Sequence, residues 1–166
     1  MKIETIQPAE FASQLPASVK TQALIIAQLK EQHANISEKL LPEIDLHFWA
    51  LLKNNNLSLN QEISTIYKKF LRFQEHLNDH FFMEEIMVFP SIQETKDLGN
   101  VIEDFINKHD NYELILAQML IDIETKLAPI SELLSLRILL LKIERLSLML
   151  EEHQALEDNL FVELLN

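Results

Sequence analysis

The sequence predicts an all-α protein, folded as an up-down-up-down four-helix bundle. Its 166 residues are 48% apolar and include one glycine and five prolines, a composition that long helices tolerate better than tight hairpin turns do. Apolar residues recur at helical spacing along four long stretches, which short polar connections separate. Short connections place consecutive helices antiparallel, and a chain of this length suits one domain with one core.

The first predicted helix follows an extended N-terminal arm. Residues 1–15 form the arm, and residues 16–166 form the bundle domain. Proline suits the first turn of a helix, so the helix begins near Pro16. It runs to about Lys53, and Pro42 is expected to kink or divide it because proline lacks a backbone N–H.

The other three helices are predicted from caps and helix breakers. Ser58, with Gln61 three residues later, makes a capping box for the second helix, which should stop just before Pro90. The third helix covers about residues 101–127. Ser131 can cap a fourth helix that reaches almost to the last residue.

The fourth predicted helix has an unusually wide apolar face. One interpretation is a helix deep in the core. The other is a surface that meets a partner, most simply a second copy, so a monomer and a homodimer both remain open. The residues concerned are Leu139, Leu140, Leu141, Leu146, Leu148, Met149 and Leu150.

Charge and composition exclude several classes of partner. The formal net charge of −12 disfavours nucleic acid and anionic lipid surfaces. Cysteine is absent, which excludes disulfides, thiolate ligands and thiol nucleophiles. The first residues lack the apolar run of a signal peptide, and charges interrupt the most apolar stretch, residues 133–150. We therefore expect a cytoplasmic protein without a membrane segment.

Histidine and glutamate repeat along the chain in one pattern. A lone histidine is followed one helix later by His-x-x-x-Glu, and the second half repeats both parts in order. Side chains four residues apart share a helix face, so four histidines and two glutamates can converge at one level of the bundle. One such pair is more simply a surface coincidence, but two matched copies indicate a site. We call these residues the ligand set: His33, His80, Glu84, His109, His153 and Glu157.

The ligand set suits metal ions. Nitrogen and oxygen ligands without sulfur fit iron, manganese or zinc. Helical bundles that pair carboxylates with histidines hold two-iron sites, although the motif of ferritin-like proteins is Glu-x-x-His. Two ions would offset the cost of burying two carboxylates. Each ion would receive two imidazole nitrogens and a share of both carboxylates, with room for a bridging oxide or hydroxide.

Four stretches around the ligand set resemble motifs of the hemerythrin-like, HHE cation-binding superfamily. Within it, the chain is most similar to the di-iron proteins called repair of iron centres. The likeness covers about residues 20–165. The stretches are "HANISEKLLPEI" (33–44), "HFFMEEIMVFP" (80–90), "KHDNYELIL" (108–116) and "HQALEDNLF" (153–161).

The resemblance implies a role for each member of the ligand set. The four histidines would be terminal ligands, and Glu84 and Glu157 would bridge two non-haem irons, with manganese or zinc less expected. The implied function is repair of iron–sulfur clusters under nitrosative or oxidative stress, by donating iron or handling nitric oxide. The chain departs from that family in lacking its cysteine-bearing N-terminal domain, and Phe161-Val162 stands where Phe-Pro is usual.

Five further polar residues are candidates for supporting roles. His76 lies one turn before the second helix's ligand histidine and is expected to be a partly buried neighbour of the site, or else a fifth histidine ligand. His47 is expected at the bundle end or surface. Glu85, Glu113 and Asp158 either orient ligand imidazoles, line a path for ions, or simply face solvent.

These observations leave several functions open. The first is a di-iron protein that acts on damaged iron–sulfur proteins. The alternative is a hemerythrin-like module that binds or senses dioxygen, nitric oxide or metal without turnover. A hydrolase with two zinc or manganese ions would need a substrate cleft, of which the sequence gives no sign. A purely structural bundle is the fourth possibility.

Overall fold

A computed structural model describes residues 17–53, 59–93 and 112–165, with side chains at 21–53, 59–92 and 112–161. Within these residues, regular structure is entirely helical, which confirms the all-α class. The predicted arm, the Ser58 cap and the first half of the third helix, including His109, lie outside the described residues.

Two of the four long helices contain a wide π-helical turn, and the other two are uninterrupted. A short 3-10 turn, Ala128–Ile130, joins the third helix to the fourth. Helix α1 comprises Ala17–Asn35, a π turn at Ile36–Leu40 and a continuation at Leu41–Lys53. Helix α2 comprises Asn60–Met83, a π turn at Glu84–Val88 and a continuation at Phe89–Gln93. Helix α3 is Tyr112–Lys126, and helix α4 is Leu134–Leu165.

The helices form a closed ring in which each packs against two neighbours: α1 on α2 and α4, and α3 on α2 and α4. Neighbouring helices run antiparallel. For example, Ser37 of α1 donates a hydrogen bond to Asn78 of α2 at 2.8 Å. Asp45, later in α1, accepts one from Tyr67, which lies earlier in α2. This order matches the predicted up-down-up-down bundle.

Both prolines inside the long helices follow a π turn. Pro42 comes two residues after the turn in α1, and Pro90 two residues after the turn in α2. In each case the backbone N–H just before the proline donates to the carbonyl five residues back, which fits a wide turn before a residue that cannot donate. The prediction that α2 stops before Pro90 is therefore wrong, because the helix continues to residue 93.

The start of α4 also differs from the prediction. Ser131 ends the 3-10 turn, where its N–H donates to the carbonyl of Ala128, and does not cap the helix. The helix begins three residues later at Leu134. Four i+3 backbone hydrogen bonds between Leu127 and Leu136 carry the chain through this corner, so the turn needs no serine cap.

The core consists of two apolar clusters, one above the other along the bundle. The larger contains the aromatic side chains of Phe48, Phe70 and Phe73. The smaller lies near the N-terminal half of α1 and the C-terminal ends of α2 and α4. Each buried leucine or phenylalanine contributes roughly 1.5–3 kcal/mol. His33, Glu84, His153 and Glu157 lie where the two clusters meet, so apolar packing fixes the helices on both sides of them.

The wide apolar face of α4 divides between core and surface. Leu139, Leu146 and Leu150 are buried, whereas Leu141 and Leu148 are exposed. Neither earlier interpretation therefore accounts for the whole face. None of the described helices is long and apolar enough to cross a membrane.

Candidate metal centre

Polar side chains are buried together at one level of the bundle. Glu84 on α2 is fully buried, and His33, His153 and Glu157 are at most 3% exposed. Charged groups are seldom buried so completely unless they are paired or bind a metal. The concentration of these groups in one place therefore indicates a site.

The side chains of α2 and α4 form the tightest part of this group. One ligand atom from each of His80, Glu84, His153 and Glu157 lies within 4.8 Å of the others. The two His-x-x-x-Glu pairs predicted from the sequence thus face each other across the bundle. Their spacing of four residues puts each histidine and glutamate on the same inward face of its helix.

Glu84 lies at the centre of the imidazoles. His33 Nε2 is 3.0 Å from Glu84 Oε2, and His153 Nε2 is 3.7 Å from the same oxygen. On the other side, His80 Nε2 is 3.7 Å from Glu84 Oε1. Oε2 thus faces histidines of α1 and α4, and Oε1 faces a histidine of α2, an arrangement suited to a bridging carboxylate.

The imidazole of His33 has a fixed orientation. Its Nδ1 lies 2.8 Å from Glu85 Oε1, and its ring stacks on Phe81 with centroids 4.1 Å apart. A carboxylate at Nδ1 favours the tautomer that carries its proton there. Nε2 then presents a lone pair toward Glu84, as a metal ligand does.

His153 is held in a similar way from the other side. Its Nδ1 lies 3.3 Å from the side-chain oxygen of Gln32 on α1, and Nε2 is 3.7 Å from Glu157 Oε2. The ring of His80, at the edge of the site, packs beside Tyr112 of α3 with centroids 5.6 Å apart. Each histidine is therefore positioned by a neighbouring helix.

Burial controls the protonation of the site. It raises the pKa of Glu84 far above its usual range, and the adjacent carboxyl of Glu157 raises it further. Burial also lowers the pKa of His33, an effect that Glu85 partly opposes. Glu84 and Glu157 are buried and close together, so their two carboxyl groups need a proton or a cation between them.

The donor atoms fit a metal ion. Apart from the carboxyl of Glu157, no described group hydrogen-bonds the Glu84 carboxylate with ordinary geometry. His33 Nε2 likewise makes no ordinary hydrogen bond among the described residues. Two ligand atoms that each lie about 2.1 Å from the same metal ion, with a right angle between the two bonds, are about 3 Å apart. The separation of His33 Nε2 and Glu84 Oε2 matches that spacing.

The family comparison agrees with this geometry. Residues 24–165 match the model of the hemerythrin HHE cation-binding domain. The chain belongs to the hemerythrin HHE cation-binding family. Comparisons with curated proteins and with solved structures gave no significant match. Hemerythrin-like domains bind metal cations, typically iron, and the buried histidine–glutamate cluster could hold such a cation here.

Five members of the ligand set meet in this hemerythrin-like domain. Four of them make up the tight group, and His33 completes the contact with Glu84. His109 lies outside the described residues, so its role as the ligand from the third helix stays a prediction.

The supporting candidates separate clearly. Glu85 orients a ligand imidazole, whereas Glu113 and Asp158 are exposed. His76 is also exposed, contrary to the expectation that it would be partly buried beside the site. His47 is half-buried, and burial lowers its pKa.

Sequence reasoning missed two residues that shape the site. Gln32 contacts His153, and Phe81 supports the ring of His33. Each directly adjoins a ligand histidine in the sequence, but no spacing rule marks such neighbours. Their roles follow from contacts between helices, which the sequence pattern does not specify.

Proposed function

We propose that this hemerythrin-like protein is a non-haem di-iron protein whose metal centre is formed by the ligand set. The observation that carries the proposal is Glu84, a fully buried carboxylate that three imidazoles from three helices face. Glu157 supplies the second carboxylate, and His109 is proposed as the remaining ligand. Manganese or zinc is less favoured.

The surrounding residues suit this role. Two irons, when bound, supply one-electron redox chemistry and positions for small ligands such as nitric oxide or dioxygen. Glu85 and Gln32 hold their imidazoles in orientation. The smaller apolar cluster covers the side of the site toward the ends of α2 and α4, where it limits access of water. The two carboxylates balance part of the cations' charge.

We propose further that the function is repair of damaged iron–sulfur proteins under nitrosative or oxidative stress, by iron donation or nitric oxide handling. The support is the likeness of four motifs to the repair of iron centres family. A second support is His76, because oxygen-carrying hemerythrins typically use a fifth histidine, and this candidate for it is exposed. The alternative is a module that binds or senses a gas or metal.

Metal content tests the di-iron centre. Protein purified from iron-replete cells should hold about two irons per chain by mass spectrometry. Glu84→Ala or Glu157→Ala should lose most of that iron, because each removes a shared carboxylate. Asp158→Ala is the matched control, since this exposed acid directly follows Glu157, and it should keep full occupancy. Stoichiometric zinc without iron uptake would contradict the proposal.

Recovery of a damaged enzyme tests repair separately. An iron–sulfur enzyme inactivated by nitric oxide is incubated with the iron-loaded protein, with the Glu84→Ala variant, or with an equal amount of free ferrous iron. The iron-loaded protein should restore activity faster and further than the other two. Equal recovery with free iron would contradict repair while leaving the metal centre intact, and would favour the gas- or metal-binding alternative.

A further inference from the structure

The outward face of α4 carries a regular row of apolar side chains. Leu134, Leu141 and Leu148 follow one another at seven-residue intervals and are 71%, 64% and 59% exposed. Ala155, seven residues further on, is also exposed. Isolated exposed leucines are ordinary, but a row at heptad spacing is typical of helices that pack against another helix. We call these four residues the leucine row.

The leucine row points away from the bundle. At 100° per residue, Leu141 lies on the opposite side of α4 from the buried Leu139 and Leu146. Seven residues rotate the row by only about 20°, so it winds slowly along the helix as in a left-handed helix pair. The row therefore has no function in this bundle's own core.

Charged residues flank the leucine row on both sides. Arg137, Glu144 and Glu151 lie along one edge, and Arg145 and Glu152 along the other, and all five are exposed. Neither Arg137 nor Glu144 has an opposite charge three or four residues away on α4, where a helical ion pair would form. Their charges are thus available to a partner across the face.

We propose that the chain forms a symmetric homodimer in which α4 packs antiparallel against α4 of a second copy, centred on Leu141. A two-fold axis then brings Leu141 against Leu141 of the partner. It also brings Leu134 against Leu148 of the partner, and this second contact forms twice because of the symmetry. Arg137 then lies beside Glu144 of the partner on the same edge of the interface, with an offset along the helix axis of about one residue's rise. Because of the two-fold axis, this ion pair also forms twice.

Other arrangements bring like charges together. An antiparallel pair shifted by one heptad, with Leu141 against Leu148, brings Arg137 beside Glu151 of the partner. It also places Glu144 beside Glu144 of the partner and Arg145 beside Arg145 of the partner. A parallel pair brings Glu144 beside Arg145 of the partner, but it offsets that attraction by placing Glu151 beside Glu152 of the partner. Facing like charges disfavour both arrangements. The register centred on Leu141 avoids these contacts while covering three leucines of each copy.

Charge reversal tests the dimer and its register. Wild-type protein should dimerise in sedimentation velocity, with a dissociation constant on the order of micromolar for a contact of this limited size. Arg137→Glu and Glu144→Arg should each raise that constant at least tenfold, because like charges then face each other. A mixture of the two variants should form a heterodimer, since both ion pairs are restored in trans. Arg72→Glu, on the exposed face of α2, is the control and should dimerise normally.

Single cysteines give an independent measurement, because the chain contains none. Leu141→Cys should cross-link to itself on mild oxidation. Leu134→Cys should not, since its two copies would lie roughly 20 Å apart along the helices, but it should cross-link to Leu148→Cys when the two are mixed. A monomeric wild type at every concentration would overturn the proposal. Failure of the charge mixture to associate, or self-linking at position 134, would also overturn it.

Discussion

At the scale of single residues, the site contains pairs in which one side chain faces the Glu84 carboxyl and a second side chain holds its orientation. His33 and Glu85 are such a pair, joined at 2.8 Å across α1 and α2. Partners of this kind were only partly predictable. The sequence offered Glu85 as one of three candidate acids, and the contact alone separates it from the exposed Glu113 and Asp158.

Replacing Glu85 should weaken metal binding without unfolding the protein. Glu85→Ala removes the acceptor at His33 Nδ1, so iron affinity should fall about 10–100-fold. Glu85→Gln keeps an oxygen acceptor and should recover much of the loss. Competition with a chelator measures the affinity.

The melting temperature of the metal-free protein is the control for Glu85. It should change little, because the side chain is 41% exposed. Unchanged affinity in Glu85→Ala, or equal losses in both variants, would show that Glu85 does not position the imidazole.

At the scale of helices, two π turns determine how the chain passes its internal prolines. One begins at Glu84 itself, and the other begins three residues after His33. The sequence indicated a disturbance at Pro42 and an end at Pro90, but not a wide turn that lets α2 continue. The N–H that proline lacks can be predicted from the sequence. The continuation of α2 beyond Pro90 depends instead on the packing of Phe89 and Ile92 in the smaller apolar cluster.

The contact between α2 and α3 should contribute stability that depends on pH. Asp122 of α3 is buried and bonds Lys69 of α2 at 2.5 Å and Lys126 at 3.1 Å. Lys69 chiefly, with Lys126, holds the pKa of Asp122 below its usual range. A carboxyl group whose pKa is lower in the folded state stabilises the fold at pH values above its unfolded-state pKa. That stabilisation is lost as the pH falls through its folded-state pKa.

Asp122→Asn should therefore reduce the free energy of unfolding by about 1 kcal/mol near neutral pH, and by less near about pH 3. Urea denaturation at both pH values measures this. Glu43→Gln is the matched control, since Glu43 pairs with Lys142 at the same 2.5 Å but is exposed, and it should have a smaller effect. A loss at neutral pH that persists undiminished in acid would contradict the assignment.

At the scale of the whole molecule, the fold was largely predictable. Helical periodicity and a single glycine in 166 residues indicate four long amphipathic helices, and short connections indicate their antiparallel order. The repeated His-x-x-x-Glu pattern identified four residues that the structure brings together. The exposed side of α4 was not predictable in this way. The spacing of the leucines in the sequence is the same whether the outer ones face water or contact another helix.

Metal removal should destabilise the whole bundle, because the site joins α1, α2 and α4. Bound metal stabilises the folded state by about 4 kcal/mol when its free concentration is a thousand times the dissociation constant. Chelation should lower the melting temperature of wild type and leave Glu84→Ala unaffected, as calorimetry can measure. Equal melting temperatures with and without metal in wild type would contradict this.

The stacking of His33 on Phe81 restricts how the imidazole can rotate. The two rings lie nearly parallel, 13° apart, and Phe89 is also nearly parallel to the imidazole at 5.9 Å. Rotation of the imidazole out of this plane would drive its edge into the Phe81 phenyl ring. We therefore expect the imidazole to keep this orientation with or without a bound ion, so that exchange of an ion would not repack the interior.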